Sequence, residues 1–152
     1  MVSIELLRRY QFFNHLTEDQ FKAVAMIAEI ETHPKGALVA RENSAASKLY
    51  LLLEGDVDLV YSGGGEGAIV NALVGSIAPG EVFGVSSLIE PYQFISSVRT
   101  ATPVRVIAIE AIALRALAEI DPRLGYALMR NISAAVLERL KFTQMELAVA
   151  RA

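Results

Sequence analysis

Glycine and serine residues are concentrated in one stretch of the chain, Gly80–Thr100, where an anion could bind. Gly84 would let a ligand approach the backbone, and Ser86 and Ser87 belong to a predicted short helical turn whose free N–H groups could face a negative charge. The segment from residue 83 to residue 98 nevertheless contains no lysine, arginine or histidine. The stretch has the backbone of an anion site without a cation to complete it.

No other group of residues has the spacing of a catalytic or metal site. His15 and His33 are isolated, and no known motif ties a serine or a carboxylate to either. Because the chain has no cysteine, disulfides, thiolate catalysis and cysteine-ligated metals are excluded. Residues 62–67 are rich in glycine, but no Gly-Lys-Ser/Thr follows, which favours a hairpin loop over a phosphate loop. We expect no enzyme activity, no catalytic residue and no metal.

The composition restricts the partners and the location of the protein. A net charge of −3 argues against nucleic-acid binding, which depends on cations that neutralise phosphates. Apolar residues make up 53% of the chain, which favours a surface covered by a partner, with a well-filled core as the alternative. The start of the chain lacks the features of a signal peptide, and the longest uncharged run, 67–80, is too short to span a bilayer. The expectation is a cytoplasmic protein without membrane contact.

The sequence pattern divides the chain into helices, short strands and helices again. Apolar residues from Ile4 to Phe13 follow a helical period, and Thr17 and Gln20 form a capping box, so residues 1–32 are predicted to be helical. Residues 33–109 contain short apolar runs separated by turn residues, which is typical of a sandwich or jelly roll. The predicted strands include 49–53, 57–61, 69–77, 82–85, 95–100 and 104–109.

Helix returns over residues 110–152 and completes one predicted domain, 1–152. Asp121 and Pro122 form an N-cap and a first helical position for a long final helix. One small roll cannot bury that helix along its whole length, which predicts a homodimer or a partner protein; a helix folded back on its own roll is the alternative. The residues expected at the contact are Leu128, Ile132, Ala135, Val136 and Leu140. The cations expected on a solvated face are Arg123, Arg130, Arg139, Lys141 and Arg151.

Several strings along the chain match one family pattern. They are FNHLT at 13–17, Gly36 with Glu42, KLYLLLEGDV at 48–57 and PGEVFG at 79–84. With the order of elements, they resemble the cyclic-nucleotide-binding domain of the catabolite activator protein, protein kinase A regulatory subunits and cyclic-nucleotide-gated channels. The resemblance implies an α+β, mainly β fold: a double-stranded β-helix or jelly roll between N-terminal helices and a long C-terminal helix.

The resemblance also implies a phosphate-binding cassette within Gly80–Thr100. In the family, a glycine and a short helix approach the cyclic phosphate, an arginine pairs with it, and a glutamate accepts a hydrogen bond from the ribose. Aligned without gaps, Val85 stands at the glutamate position and Phe94 at the arginine position. The ligand-binding positions implied are Phe83, Gly84, Val85, Ser86, Ser87, Phe94, Ile95, Ser96 and Ser97.

The absence of both charged contacts predicts weak binding of cyclic nucleotides. A buried, charge-assisted contact to phosphate is worth about 2–5 kcal/mol, or roughly 30- to 3,000-fold in affinity. Arg99 is predicted to point away from the core, and Arg41 or Lys48 would have to reach the pocket from a distance. Three outcomes remain open: a pocket filled by its own side chains, an apolar or neutral ligand, or weak anion binding through backbone and serines.

These observations predict a non-catalytic regulatory or protein-interaction module that binds cyclic nucleotides poorly, needs no cofactor and acts through its last helix. The alternative is a small-molecule sensor that binds a cyclic nucleotide or another ligand in the roll and signals through that helix. Transcription factors of the family append a winged helix-turn-helix after this helix. The 152 residues leave no room for one, so DNA binding by this chain is not expected.

Overall fold

Two antiparallel four-stranded sheets form the roll at the centre of the chain. They appear in a computed structural model that describes residues 1–63 and 71–152. One sheet has the order β1-β8-β3-β6 and the other β2-β7-β4-β5. The strands are β1 (Ala28–His33), β2 (Leu38–Ala40), β3 (Lys48–Glu54), β4 (Val57–Tyr61), β5 (Ala72–Ile77), β6 (Val82–Phe83), β7 (Ser97–Thr100) and β8 (Val104–Glu110).

Helices precede and follow this roll, which confirms the predicted α+β, mainly β fold with a long C-terminal helix. The helices are α1 (Ile4–Arg8), α2 (Glu18–Met26), α3 (Ala111–Ile120) and α4 (Pro122–Ala150). Short 3-10 helices lie at Gln11–Phe13 and at Val85–Leu88.

Strand β3 is buried on both faces and separates two apolar cores. Leu49 and Leu51 belong to a core between the first sheet and the helices. Tyr50 and Leu52 belong to a second core between the two sheets. Since successive side chains of a strand point to opposite faces, a strand buried on both sides has an unbroken apolar sequence, as this one does.

Local signals at helix starts are confirmed. The Thr17 hydroxyl accepts from the Gln20 backbone N–H at 3.2 Å, and the Gln20 side chain accepts from the Thr17 N–H at 2.9 Å, completing the capping box. Asp121 accepts from the backbone N–H groups of Arg123 and Leu124 and begins α4. Both pairings satisfy N–H groups that a helix leaves unbonded at its first turn.

Several predicted boundaries were wrong. The N-terminal helix ends at Arg8 and continues as the 3-10 helix Gln11–Phe13, and the roll begins at Ala28 rather than at residue 33. Strand β6 ends at Phe83 because Gly84 turns into the left-handed region, with φ +73°. Strand β7 begins only at Ser97. Residues 64–67 of the predicted loop and 69–70 of the predicted strand lie outside the described residues.

The first half of α4 packs on the roll of its own chain, which corrects part of the predicted partner surface. Leu128 is 1% exposed and Ile132 is 3% exposed, and both belong to the core beneath the first sheet. Because they are covered within the chain, they cannot form an exposed partner contact. The other side of this half is exposed, as at Tyr126, and further along Val136, Leu137 and Leu140 are exposed as well.

This division of α4 can be tested by unfolding. Replacing buried Leu128 by alanine leaves a cavity and is expected to lower the free energy of unfolding by about 2–5 kcal/mol. Tyr126→Ala is the matched control, because Tyr126 is 69% exposed on the same half of the helix, and it should change the free energy of unfolding by less than about 0.5 kcal/mol. Urea titration followed by circular dichroism measures both. Equal losses would contradict the packing described.

A second test concerns the junction of α3 and α4. Asp121 accepts a hydrogen bond from Gln20 Nε2 at 3.0 Å, which, with the backbone N–H donors of Leu124 and Arg123, lowers the pKa of its carboxyl. Because the pKa is lower in the folded than in the unfolded chain, the ionised carboxylate stabilises the fold at pH values above the ordinary carboxyl pKa. This stabilisation is lost as the pH falls through the lowered pKa of the folded state. Asp121→Asn is therefore expected to reduce the decrease in stability at acid pH. The measurement is the urea midpoint of unfolding as a function of pH. An unchanged pH dependence would contradict it.

Candidate ligand-binding site

Gly84 begins the cassette turn and fits only as glycine. Its φ is +73°, and a Cβ there would lie 2.9 Å from the Lys48 carbonyl oxygen and 3.3 Å from Phe94 Cε1. The Ser87 N–H donates to the Gly84 oxygen at 3.0 Å and closes the 3-10 turn. The backbone of the predicted cradle is therefore present, tight against β3 and Phe94.

Phe94 is part of the core between the sheets. Its side chain is 7% exposed, and its backbone bonds to Asn43 and Ser44 at 2.8 and 3.0 Å. Next to it, the Tyr50 and Phe83 rings are stacked with centroids 4.8 Å apart. The residue predicted at the arginine position is thus part of an apolar wall.

A pocket of about 270 Å³ lies between this wall and α4. Phe94 lines it without filling it, so the outcome in which the chain fills its own pocket is not observed. From the roll and cassette come Leu59, Val82, Phe83, Gly84, Val85, Ser86, Phe94, Ile95, Ser96 and Val98. From α4 come Ala135, Val136, Arg139, Leu140 and Thr143. The lining is apolar except for a few hydroxyl groups and one guanidinium.

Two of the predicted cassette residues do not line this pocket. Ser87 is fully buried, its hydroxyl has no hydrogen-bond partner among the described residues, and its carbonyl accepts from Arg115 Nη1 at 2.5 Å. The Ser97 hydroxyl accepts from the Glu42 backbone N–H at 3.0 Å and joins β7 to the turn that follows β2. Both serines have structural roles here. Ile95 does line the pocket, but at its rim, where it is largely exposed.

Arg139 was wrongly predicted on a solvated face. Its side chain lines the pocket, and Nη2 donates to the Val82 carbonyl oxygen at 3.1 Å. Burial lowers the pKa of Arg139, with Glu81 acting weakly in the other direction. The sequence did contain a signal: Arg139 lies one turn after Ala135 on the stripe that includes the buried Leu128 and Ile132.

The other candidate cations stay away from the pocket. Arg99 and Arg41 are exposed, as predicted for Arg99 from strand alternation. Lys48 Nζ bonds to Glu31 Oε2 at 2.6 Å, and this bond raises the pKa of Lys48. Arg139 is the one cation among the lining residues described for this pocket.

A second arginine ties the cassette to the helices. Besides its bond to Ser87, the Arg115 guanidinium stacks on the Tyr92 ring, 3.9 Å from its centroid. These contacts join α3 to the 3-10 helix and to the segment that follows it.

Neither a metal site nor a membrane helix occurs in the described part of the chain. His33 Nε2 lies 3.1 Å from Glu31 Oε1, and the same carboxylate also bonds to Lys48. His33 therefore has a structural partner on the surface of the first sheet. Within residues 1–63 and 71–152, no acidic and histidine side chains cluster as metal ligands would. No helix in those ranges is both long and apolar enough to cross a membrane.

Comparisons with known proteins place this geometry in a family. The family described as "Cyclic nucleotide-binding domain" matches residues 30–121. A provisionally assigned cyclic nucleotide-binding protein from Geobacter metallireducens GS-15 is 47% identical, with 92% of this chain and 99% of that chain covered and a TM-score of 0.83.

Two further matches are more distant. The regulatory domain of Toxoplasma gondii protein kinase A, solved with cyclic AMP, is 19% identical over 74% of this chain and 42% of that one, with a TM-score of 0.64. A provisionally assigned potassium channel protein from Rhodopseudomonas palustris is 21% identical over 82% of this chain, and the match spans only 29% of that protein's length. With the roll, the cassette turn and the family match in agreement, the chain belongs to the cyclic nucleotide-binding domain family.

Proposed function

We propose that this chain is a non-catalytic regulatory module that binds cyclic AMP and cyclic GMP poorly and acts through α4. The supporting observation is that Val85 and Phe94, which the alignment without gaps predicts at the positions of the ribose and phosphate contacts, both line the pocket. The pocket is also bounded by α4, so an occupant would touch the helix directly. This favours a sensor over a purely structural module.

The electrostatics of the pocket oppose a cyclic nucleotide. The cassette side contributes apolar side chains and neutral hydroxyl groups, and the guanidinium of Arg139 comes from the opposite wall, where it bonds to Val82. A cyclic phosphate placed in the cassette would lose water without gaining the paired cation that normally offsets this cost. The ribose would meet Val85, which accepts no hydrogen bond.

Calorimetry with cyclic nucleotides tests this proposal. Cyclic AMP and cyclic GMP are expected to show no saturable binding below about 100 µM, because both charged contacts are absent. A cyclic-AMP-binding member of the family, titrated in parallel, is the positive control. Binding of either nucleotide tighter than that concentration would overturn the proposal.

The output surface of the module is the exposed part of α4, and a second copy of the chain is its proposed partner. Beyond the roll, exposed apolar side chains recur along the helix: Val136, Leu137, Leu140, Phe142, Met145, Leu147 and Val149. Acidic and basic residues of the same stretch, such as Glu138, Lys141 and Glu146, alternate between them. Of these, Val136, Leu137, Leu140 and Leu147 lie on one side of the helix, within about 100° of one another, and an apolar side next to charged residues suits pairing between two identical helices.

Light scattering after size exclusion measures the association. The wild-type chain is expected to elute as a dimer and Leu137→Asp as a monomer, because the new carboxylate would be buried in the paired helices. Leu137 does not line the pocket, so the substitution removes no direct contact with a ligand bound there. Ile112→Asp, at a 72% exposed position on α3, is the matched control and should remain dimeric. A wild-type monomer at tens of micromolar would contradict the dimer.

A further inference from the structure

We propose that the pocket between the cassette and α4 binds a small amphipathic carboxylate, with its apolar body in the roll and its carboxylate on Arg139. The inference rests on the proposed function, since it names the ligand class of the same regulatory site. Three features of the pocket carry it: the apolar lining, the volume and the environment of the guanidinium.

The lining suits an apolar body. Side chains that face the pocket from both walls include Leu59, Phe83, Phe94, Val98, Val136 and Leu140. A volume of about 270 Å³ equals about nine liquid-water volumes, which suits a ligand of roughly ten non-hydrogen atoms. Such a body would displace water from hydrocarbon surface, which drives binding without specific polar contacts.

The guanidinium of Arg139 suits an anionic head. It carries five N–H donors, and among the described residues it donates one hydrogen bond, to the Val82 carbonyl oxygen. No carboxylate among the described residues lies within ion-pair distance of it. The nearby Glu81 uses its own Oε1 to accept from the Ala78 N–H at 2.7 Å. A partly desolvated cation without a paired anion favours a ligand that supplies one.

The number of charges selects a carboxylate over a phosphate monoester. A single planar guanidinium matches a carboxylate through two parallel hydrogen bonds and neutralises its one charge. A phosphate monoester would bring close to two charges to this one cation, since the other polar groups of the lining, Ser86, Ser96 and Thr143, are neutral hydroxyls. An uncharged apolar molecule would leave the guanidinium without its anion.

Calorimetry with octanoate tests the proposal on the full chain. Octanoate is expected to bind saturably with one site per chain, and 1-octanol, which has the same body without the charge, at least about tenfold more weakly. Arg139→Gln should weaken octanoate by about tenfold or more, whereas Arg130→Gln, exposed on the same helix and outside this pocket, should leave it unchanged.

Arg139→Lys keeps the charge without the planar fork and serves as a second variant if the glutamine variant fails to fold. It is expected to bind octanoate several-fold more weakly than wild type. Absence of octanoate binding by wild type, or equal octanoate affinity in wild type and either folded Arg139 variant, would overturn the inference. With cyclic nucleotides also unbound, that result leaves the proposed function standing; tight cyclic-nucleotide binding would remove the proposed function itself.

Discussion

The burial of β3 on both faces is the constraint on which the pocket depends. Leu49 and Leu51 fill the core under the helices, while Tyr50 and Leu52 fill the core between the sheets. The same strand pairs with β6, with Tyr50 opposite Phe83, so the register that fills both cores also sets the start of the cassette. A slip by one residue would exchange the two faces, and neither core would accept the exchanged side chains.

The features that the sequence predicted well are those decided within a few residues. The capping box of Thr17 and Gln20 and the N-cap of Asp121 depend on neighbouring backbone groups, and an unbroken apolar run indicates a strand buried on both sides. Gly84 was likewise identifiable by resemblance to the family pattern. Its positive φ, which ends β6 earlier than predicted, is a local backbone property that strand periodicity does not reveal.

The features that the sequence predicted poorly depend on where α4 lies. An apolar stripe indicates that one side of a helix is covered, but it does not identify the covering surface. Leu128 and Ile132 were therefore assigned to a partner, although the roll of their own chain covers them. Arg139 was missed for the same reason. Arginines on long helices are usually solvated, and only the packing of α4 over β6 brings this one to the Val82 carbonyl.

The position of the cation decides how the pocket and the helix can be coupled. A ligand held by an arginine of the cassette would be bound by the roll alone. Here the guanidinium is carried by α4, so a ligand anion could reach it only while the helix is packed on the roll. Such a ligand would bind more tightly when α4 is packed on the roll than when it is detached. Its binding would stabilise the packed arrangement by the same factor. Leu137 lies two residues before Arg139 and therefore on nearly the opposite side of the helix, so packing of Arg139 against the roll leaves Leu137 exposed to a second chain.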